Sequence, residues 1–139
     1  NNVSYVVTDV SKKTVKVTEA TPKKGKVTIP ETISISNQTY KVTAIANGVF
    51  KGNKKLTKIV IGANVTTIGK NAFKNAKNLK TIVIQNGKTL TSVGNNAFKG
   101  INKNATIKIN AATKKAYKKA RKLILAAGAK TATFAFKKS

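Results

Sequence analysis

The sequence predicts a mainly β fold with some α structure, built as a solenoid of about three stacked units. Three observations carry this reading. Matching residues return after 23 positions (Ile45 to Ile68) and again after 25 (Ile68 to Val93). Each unit contains a short β-branched segment with period-two alternation, and one amphipathic helical stretch follows the last unit.

Residues 3 to 41 contain VSYVVTD, TVKVTEA, GKVTIP and ISISNQTYKV. Their density of Val, Ile, Thr and Tyr predicts strands, joined by turns at Lys12-Lys13 and from Pro22 to Gly25. We assign residues 1–41 to an N-terminal β cap.

Residues 42–64, 65–89 and 90–110 form the units. Phe50, Phe73 and Phe98 correspond, as do Ile59, Ile82 and Ile107, then Ile61, Ile84 and Ile109. LTKIVI, LKTIVI and ATIKI read as strands. NGVFKG, NAFKN and NAFKG read as single helical turns that drive a Phe inward, and Gly48, Gly62, Gly69, Gly87, Gly94 and Gly100, with the many Asn, supply the bends. Leu56 and Leu79 match, whereas the third unit carries Asn104 there, as expected of a terminal unit with nothing stacked beyond it. One unit alone cannot bury its apolar face. Stacked units can, with each buried Phe or Ile contributing about 1.5–3 kcal/mol.

Residues 111–139 are assigned to a C-terminal helix-strand cap, and the whole chain to one domain. The helix is expected over 111–128, with Tyr117, Ala120, Leu123, Ile124 and Ala127 on one face and Gly128 as its stop. TATFAF returns as a last strand, and all five Phe are expected to be buried.

Charge restricts function. The 139 residues carry 28 Lys and Arg against 3 acids, a net charge of +25, with no His, Cys, Met or Trp. The only carboxylates are Asp9, Glu19 and Glu31, so acid/base catalysis and metal binding have almost nothing to work with. The chain is therefore read as non-enzymatic, without cofactor, metal or catalytic residues. Only Arg121 is Arg, so 28 − 1 = 27 cations are Lys. Lys is a hydrated point charge, whereas base readout favours the Arg fork, so nucleic acid is disfavoured while attraction to other polyanions stays open. No apolar run approaches the ~20 residues that span a bilayer, and there is no secretory signal, so the chain is read as soluble as given. The Asn1-Asn2 start without Met reads as a mature fragment or a domain excised from something longer.

Val65, Thr66, Ile68, Gly69, Ala72 and Phe73 have the form V-T-x-I-G-x-x-A-F, and Leu79, Ile82 and Ile84 that of L-x-x-I-x-I, repeated with small changes on either side. On these residues the chain resembles the BspA-like, or Treponema pallidum type, leucine-rich repeats. VTIPETISISNQTYKVTAI is similar to the segment that enters such arrays, and KAYKKARKLILAAG to their exit cap. The resemblance covers nearly the whole chain. It implies a right-handed solenoid in a secreted or cell-surface bacterial protein acting in adhesion or ligand capture, and it brings no shared catalytic residues.

Two surfaces are candidates for binding. If Leu56, Ile59 and Ile61 point inward, Lys58 and Val60 point outward, beside Thr81 and Val83 and then Thr106 and Lys108. This strand ladder is a candidate ligand-facing surface, and it also fits an ordinary solvated sheet face. The second is a polyanion patch of Lys114, Lys115, Lys118, Lys119, Arg121 and Lys122, suited to teichoic acid or glycosaminoglycan and equally to a soluble end cap. Membrane binding is disfavoured because the helix's apolar side is committed to the solenoid. Stacking on bases is also disfavoured, since Tyr5, Tyr40 and Tyr117 are scattered. The function expected is a non-catalytic extracellular binding or adhesion module, monomeric, contacting host glycoprotein, polysaccharide or anionic polymer. The alternative is a structural spacer within a larger multidomain surface protein or enzyme.

Overall fold

Val, Ile and Thr at alternating positions form strands where one face can be buried. A computed structural model describes residues 2–139. Among them are β1 (Val3–Asp9), β2 (Thr14–Ala20), β3 (Lys26–Ile29), β4 (Thr32–Ile35), β5 (Gln38–Ile45) and β6 (Lys58–Ile61). There follow β7 (Thr67–Ile68), β8 (Thr81–Ile84), β9 (Ser92–Val93), β10 (Thr106–Ala111), α1 (Lys114–Ala126) and β11 (Thr133–Lys138). The fold is mainly β with one helix.

The strands make two sheets. One has the order β1-β2-β5-β7-β9, with β4 added to β5; the other has the order β3-β6-β8-β10-β11. All pairs of the second sheet are parallel. In the first, β2, β5, β7 and β9 are parallel, and only the β1/β2 and β4/β5 hairpins are antiparallel. The chain therefore crosses repeatedly from the first sheet to the second, as β2 to β3, β5 to β6, β7 to β8 and β9 to β10. In a last pass α1 leads into β11, so a helix stands where the earlier passes have a strand.

The core fills the space between the sheets. Ile59, Ile82 and Ile107 are paired in register, as are Ile61, Ile84 and Ile109, and all six are buried. Phe50, Phe73 and Phe98 stack beside them with ring centroids 5.1 Å apart and interplanar angles of 4° and 16°. Backbone bonds between passes hold this column: the Phe50 N–H donates to the Ala72 carbonyl at 2.7 Å, and Phe73 to Ala97 at 2.7 Å. The segments expected to be helical turns are successive hydrogen-bonded turns with no α-helix among them. Lys51, Lys74 and Lys99 each donate to the residue three before, at 3.1, 3.1 and 3.2 Å. Gly48, Asn71 and Asn96 (φ 68°, 59° and 60°) open these turns, and Gly52, Asn75 and Gly100 (φ 68°, 61° and 79°) close them. Only Gly, and Asn with its short polar side chain, visit this left-handed region readily, which explains why the two types exchange at these places.

Several expectations are corrected. The helix occupies 114–126 rather than 111–128, because β10 continues to Ala111 and Thr113 caps the helix, its Oγ1 accepting from the Ala116 N–H at 3.2 Å. Ala127 is the C-cap and Gly128 (φ 110°) follows it. The third unit does have something stacked beyond it. Phe98 donates to the Ala127 carbonyl at 3.0 Å and Thr133 to that of Ala105 at 2.8 Å, and buried Ala105 lies beside exposed Asn104. Phe134 and Phe136 are only partly buried, because β11 is the outermost strand of its sheet. ISISNQTYKV splits into the β4/β5 hairpin at Ser36-Asn37, both at positive φ. Finally, β3 joins the ladder of the repeat strands, with Val27 opposite Ile59 and Ile29 opposite Ile61.

Candidate functional site

Parallel pairing without a register shift dictates the outward face of the second sheet. Lys58, Thr81 and Thr106 stand in one row, and Val60, Val83 and Lys108 in the next. The alternation places all six opposite the buried Ile rows; Lys108 is exposed and the other five are half-exposed. Two strands that sequence reasoning left out of the ladder extend it. Lys26 and Thr28 precede Lys58 and Val60, and Thr133 and Ala135 follow Thr106 and Lys108. Their signal was present in V-T-I and F-A-F, which share the alternation but not the repeat spacing. The face is a smooth strip of Thr, Val and Lys. It can pair polar hydroxyls and ammonium groups with a ligand lying across the strands, and it holds no nucleophile–base pair.

The six helix cations divide. Lys114, Lys118 and Lys122 recur every fourth residue on the exposed side, opposite buried Ala120 and Ile124. Arg121, also exposed, holds its guanidinium 5.6 Å from the centroid of the Phe134 ring. Lys119 Nζ donates to the Lys88 carbonyl at 2.9 Å. With Lys115 and Lys88 it lines a cavity of about 420 Å³ between the start of the helix and the loop at Asn86. Gly87 permits this approach: a Cβ there would lie 2.9 Å from Ile109 Cγ2 and 3.4 Å from the Ala120 Cβ. All six cations are exposed, and Arg121 and Lys119, at the two edges of the group, each have a contact of their own. Tyr5, Tyr40 and Tyr117 stay apart in separate elements, with Tyr117 against Phe136 at 5.1 Å.

The stacked passes, with a Phe column on the turn side and parallel Ile rows, are the geometry of a repeat protein. A family model described as the BspA type leucine-rich repeat region matches residues 43–122, in six copies. The chain belongs to this family. Among solved structures, a leucine-rich cell surface protein of Faecalibacterium prausnitzii is similar at 25% identity and a TM-score of 0.64, covering 81% of this chain and 32% of its own. A leucine-rich repeat protein of Bacteroides ovatus is similar at 25% identity and a TM-score of 0.60, over 80% of this chain and 36% of its own. The leucine-rich repeat protein of T. pallidum shares the fold at 15% identity and a TM-score of 0.50, over 78% and 68%. No curated protein matches. This BspA-type repeat chain thus spans about a third of the length of the first two structures. The family is generally non-catalytic, and leucine-rich-repeat domains mediate protein binding. Among the described residues no helix is long and apolar enough to cross a membrane.

Proposed function

We propose that the chain is a non-catalytic binding module of a bacterial surface or secreted protein, and that it meets its partner through the outward face of the five-stranded parallel sheet. The observation that carries this is the unbroken register from Lys26 to Thr133, which sets two aligned rows of outward side chains across five consecutive strands for one ligand to meet. Thr81 and Val83 lie at its centre. Two relatives of similar fold, one of them named a cell surface protein, support an extracellular setting. The partner class is a glycoprotein or polysaccharide. Three units, 42–64, 65–89 and 90–110, form the body of a right-handed solenoid within one domain; residues 1–41 close one end, and 111–139 close the other with the helix.

The test uses a glycan and glycoprotein array washed at high salt, so that bulk charge is screened. Thr81→Arg with Val83→Arg is expected to weaken the retained interaction at least tenfold. Ser34→Arg, on exposed β4 of the other sheet, is expected to leave it unchanged. Equal retention by all three proteins would remove the ladder from the account. A second reading, a spacer that makes no contacts, is favoured if nothing is retained by the unaltered chain.

A further inference from the structure

We propose that the edge formed by the three Phe-bearing turns is a second contact surface, independent of the strand ladder, and that it takes a linear polyanion bearing phosphate or sulfate groups. Lys51, Lys74 and Lys99 each follow a stacked Phe, so the 5.1 Å spacing of the rings sets the spacing of the lysines along the solenoid. The alignment is held by backbone bonds at the lysines themselves: Gly52 N–H donates to the Lys74 carbonyl and Asn75 N–H to that of Lys99, both at 2.8 Å. Lys51 and Lys99 are exposed, and Lys74 is half-buried between them. Lys54 and Lys77 repeat the pattern three residues further on, where Asn78 Nδ2 ties its pass to the Lys54 carbonyl at 2.7 Å.

This arrangement is unfavourable on its own. Like charges aligned on adjacent strands or turns repel, and no carboxylate occurs after Glu31 to relieve them. A polymer with regularly spaced anions removes that repulsion along the whole row. Backbone bonds between the passes hold each turn, so the ordering left to binding is that of the Lys side chains. The choice of polymer follows from the side chains. Lys engages anions as a point charge without the geometry that base edges require, and the Phe rings at these turns are buried, so nothing offers a stacking platform for nucleic-acid bases.

A chain of net charge +25 binds any polyanion to some degree, so the experiment must separate a site from bulk charge. Two variants of equal charge, 25 − 3 = +22, do this: Lys51→Gln/Lys74→Gln/Lys99→Gln on the turn row and Lys114→Gln/Lys118→Gln/Lys122→Gln on the helix ridge. Each is titrated with a sulfated glycosaminoglycan, a glycerol-phosphate polymer and a single-stranded oligonucleotide over a salt series, after circular dichroism has confirmed the fold. The turn variant is expected to lose about tenfold in affinity for at least one of the first two polymers. Its salt slope should fall by about 2, since each neutralised charge contributes roughly 0.7. The helix variant is expected to lose less than threefold. Preference between the two polymers identifies the source of the anion and upholds the proposal either way. Equal losses in both variants, tighter binding of the oligonucleotide, or no binding at all would overturn it. Loss of the turn site leaves the array result for Thr81 and Val83 untouched, so the two surfaces stand or fall separately.

Discussion

Phe73→Ala is expected to destabilise the chain by about 3–5 kcal/mol, the usual cost of emptying a buried aromatic site. Phe73 is fully buried and is the only one of the three stacked rings with a stacked partner on each side. Backbone bonds on both flanks, from Phe50 to Ala72 and from Phe73 to Ala97, prevent the neighbouring passes from collapsing into the space. Phe50→Ala and Phe98→Ala each break one stacked pair instead of two, and such a pair contributes roughly 0.5–1.5 kcal/mol beyond its area. They should therefore cost less than Phe73→Ala by about that amount. Domains of this size are stable by only about 5–15 kcal/mol, so the shift in the urea midpoint will be large. Equal midpoints for all three variants would mean that the column does not act as one body.

Gly94→Ala carries the second large effect. A Cβ at Gly94 would lie 2.4 Å from the Lys70 nitrogen and 2.6 Å from its Cα, backbone atoms of the preceding pass. They cannot move aside without breaking the bond from the Gly94 N–H to the Ile68 carbonyl, 2.8 Å, which joins β7 to β9. The cost is expected to be about 3 kcal/mol, the upper range for overpacking, because backbone rather than a side chain must shift. Gly48→Ala is the control. Nothing lies within 4 Å of its Cβ position, and only the left-handed φ of 68° is unfavourable, so about 1 kcal/mol is expected. Thermal melting separates the two; a smaller loss for Gly94→Ala than for Gly48→Ala would show that the passes are not in close contact there.

Much of this packing was legible because the repeat is chemical as well as numerical. Ile59, Ile82 and Ile107 occupy equivalent positions in the aligned units and are paired neighbours in the sheet, since burying the Ile face of each strand sets one register for the stack. What escaped were the parts that share the alternation without the period. The β4/β5 hairpin lengthens the path from β3 to β6, so Val27 and Ile29 lie 32 residues from their partners Ile59 and Ile61 instead of 23. At the other end the helix replaces a strand, and Phe134 and Phe136 take the places of Ile107 and Ile109 without a further strand to cover them. The lysine row escaped for a different reason. A single Lys in a turn reads as a solvated residue, and its meaning depends on the bonds that set Lys51, Lys74 and Lys99 one above another. On the helix, composition does not reveal that Arg121 lies on Phe134 and Lys119 on the Lys88 carbonyl.

Both proposed surfaces depend on register, since a slip of one residue would turn the Ile rows outward and the Thr, Val and Lys rows into the core. The most direct measurement is therefore a nuclear Overhauser experiment on the isotopically labelled chain, resolving backbone protons of β3, β6, β8, β10 and β11. The parallel in-register stack requires cross-strand contacts from Ile82 to both Ile59 and Ile107, from Val27 to Ile59 and from Ile107 to Phe134. Contacts from Ile82 to Val60 or Lys108 at the direct-neighbour distance, or an antiparallel pattern between β6 and β8, would contradict the stack and both binding surfaces drawn from it.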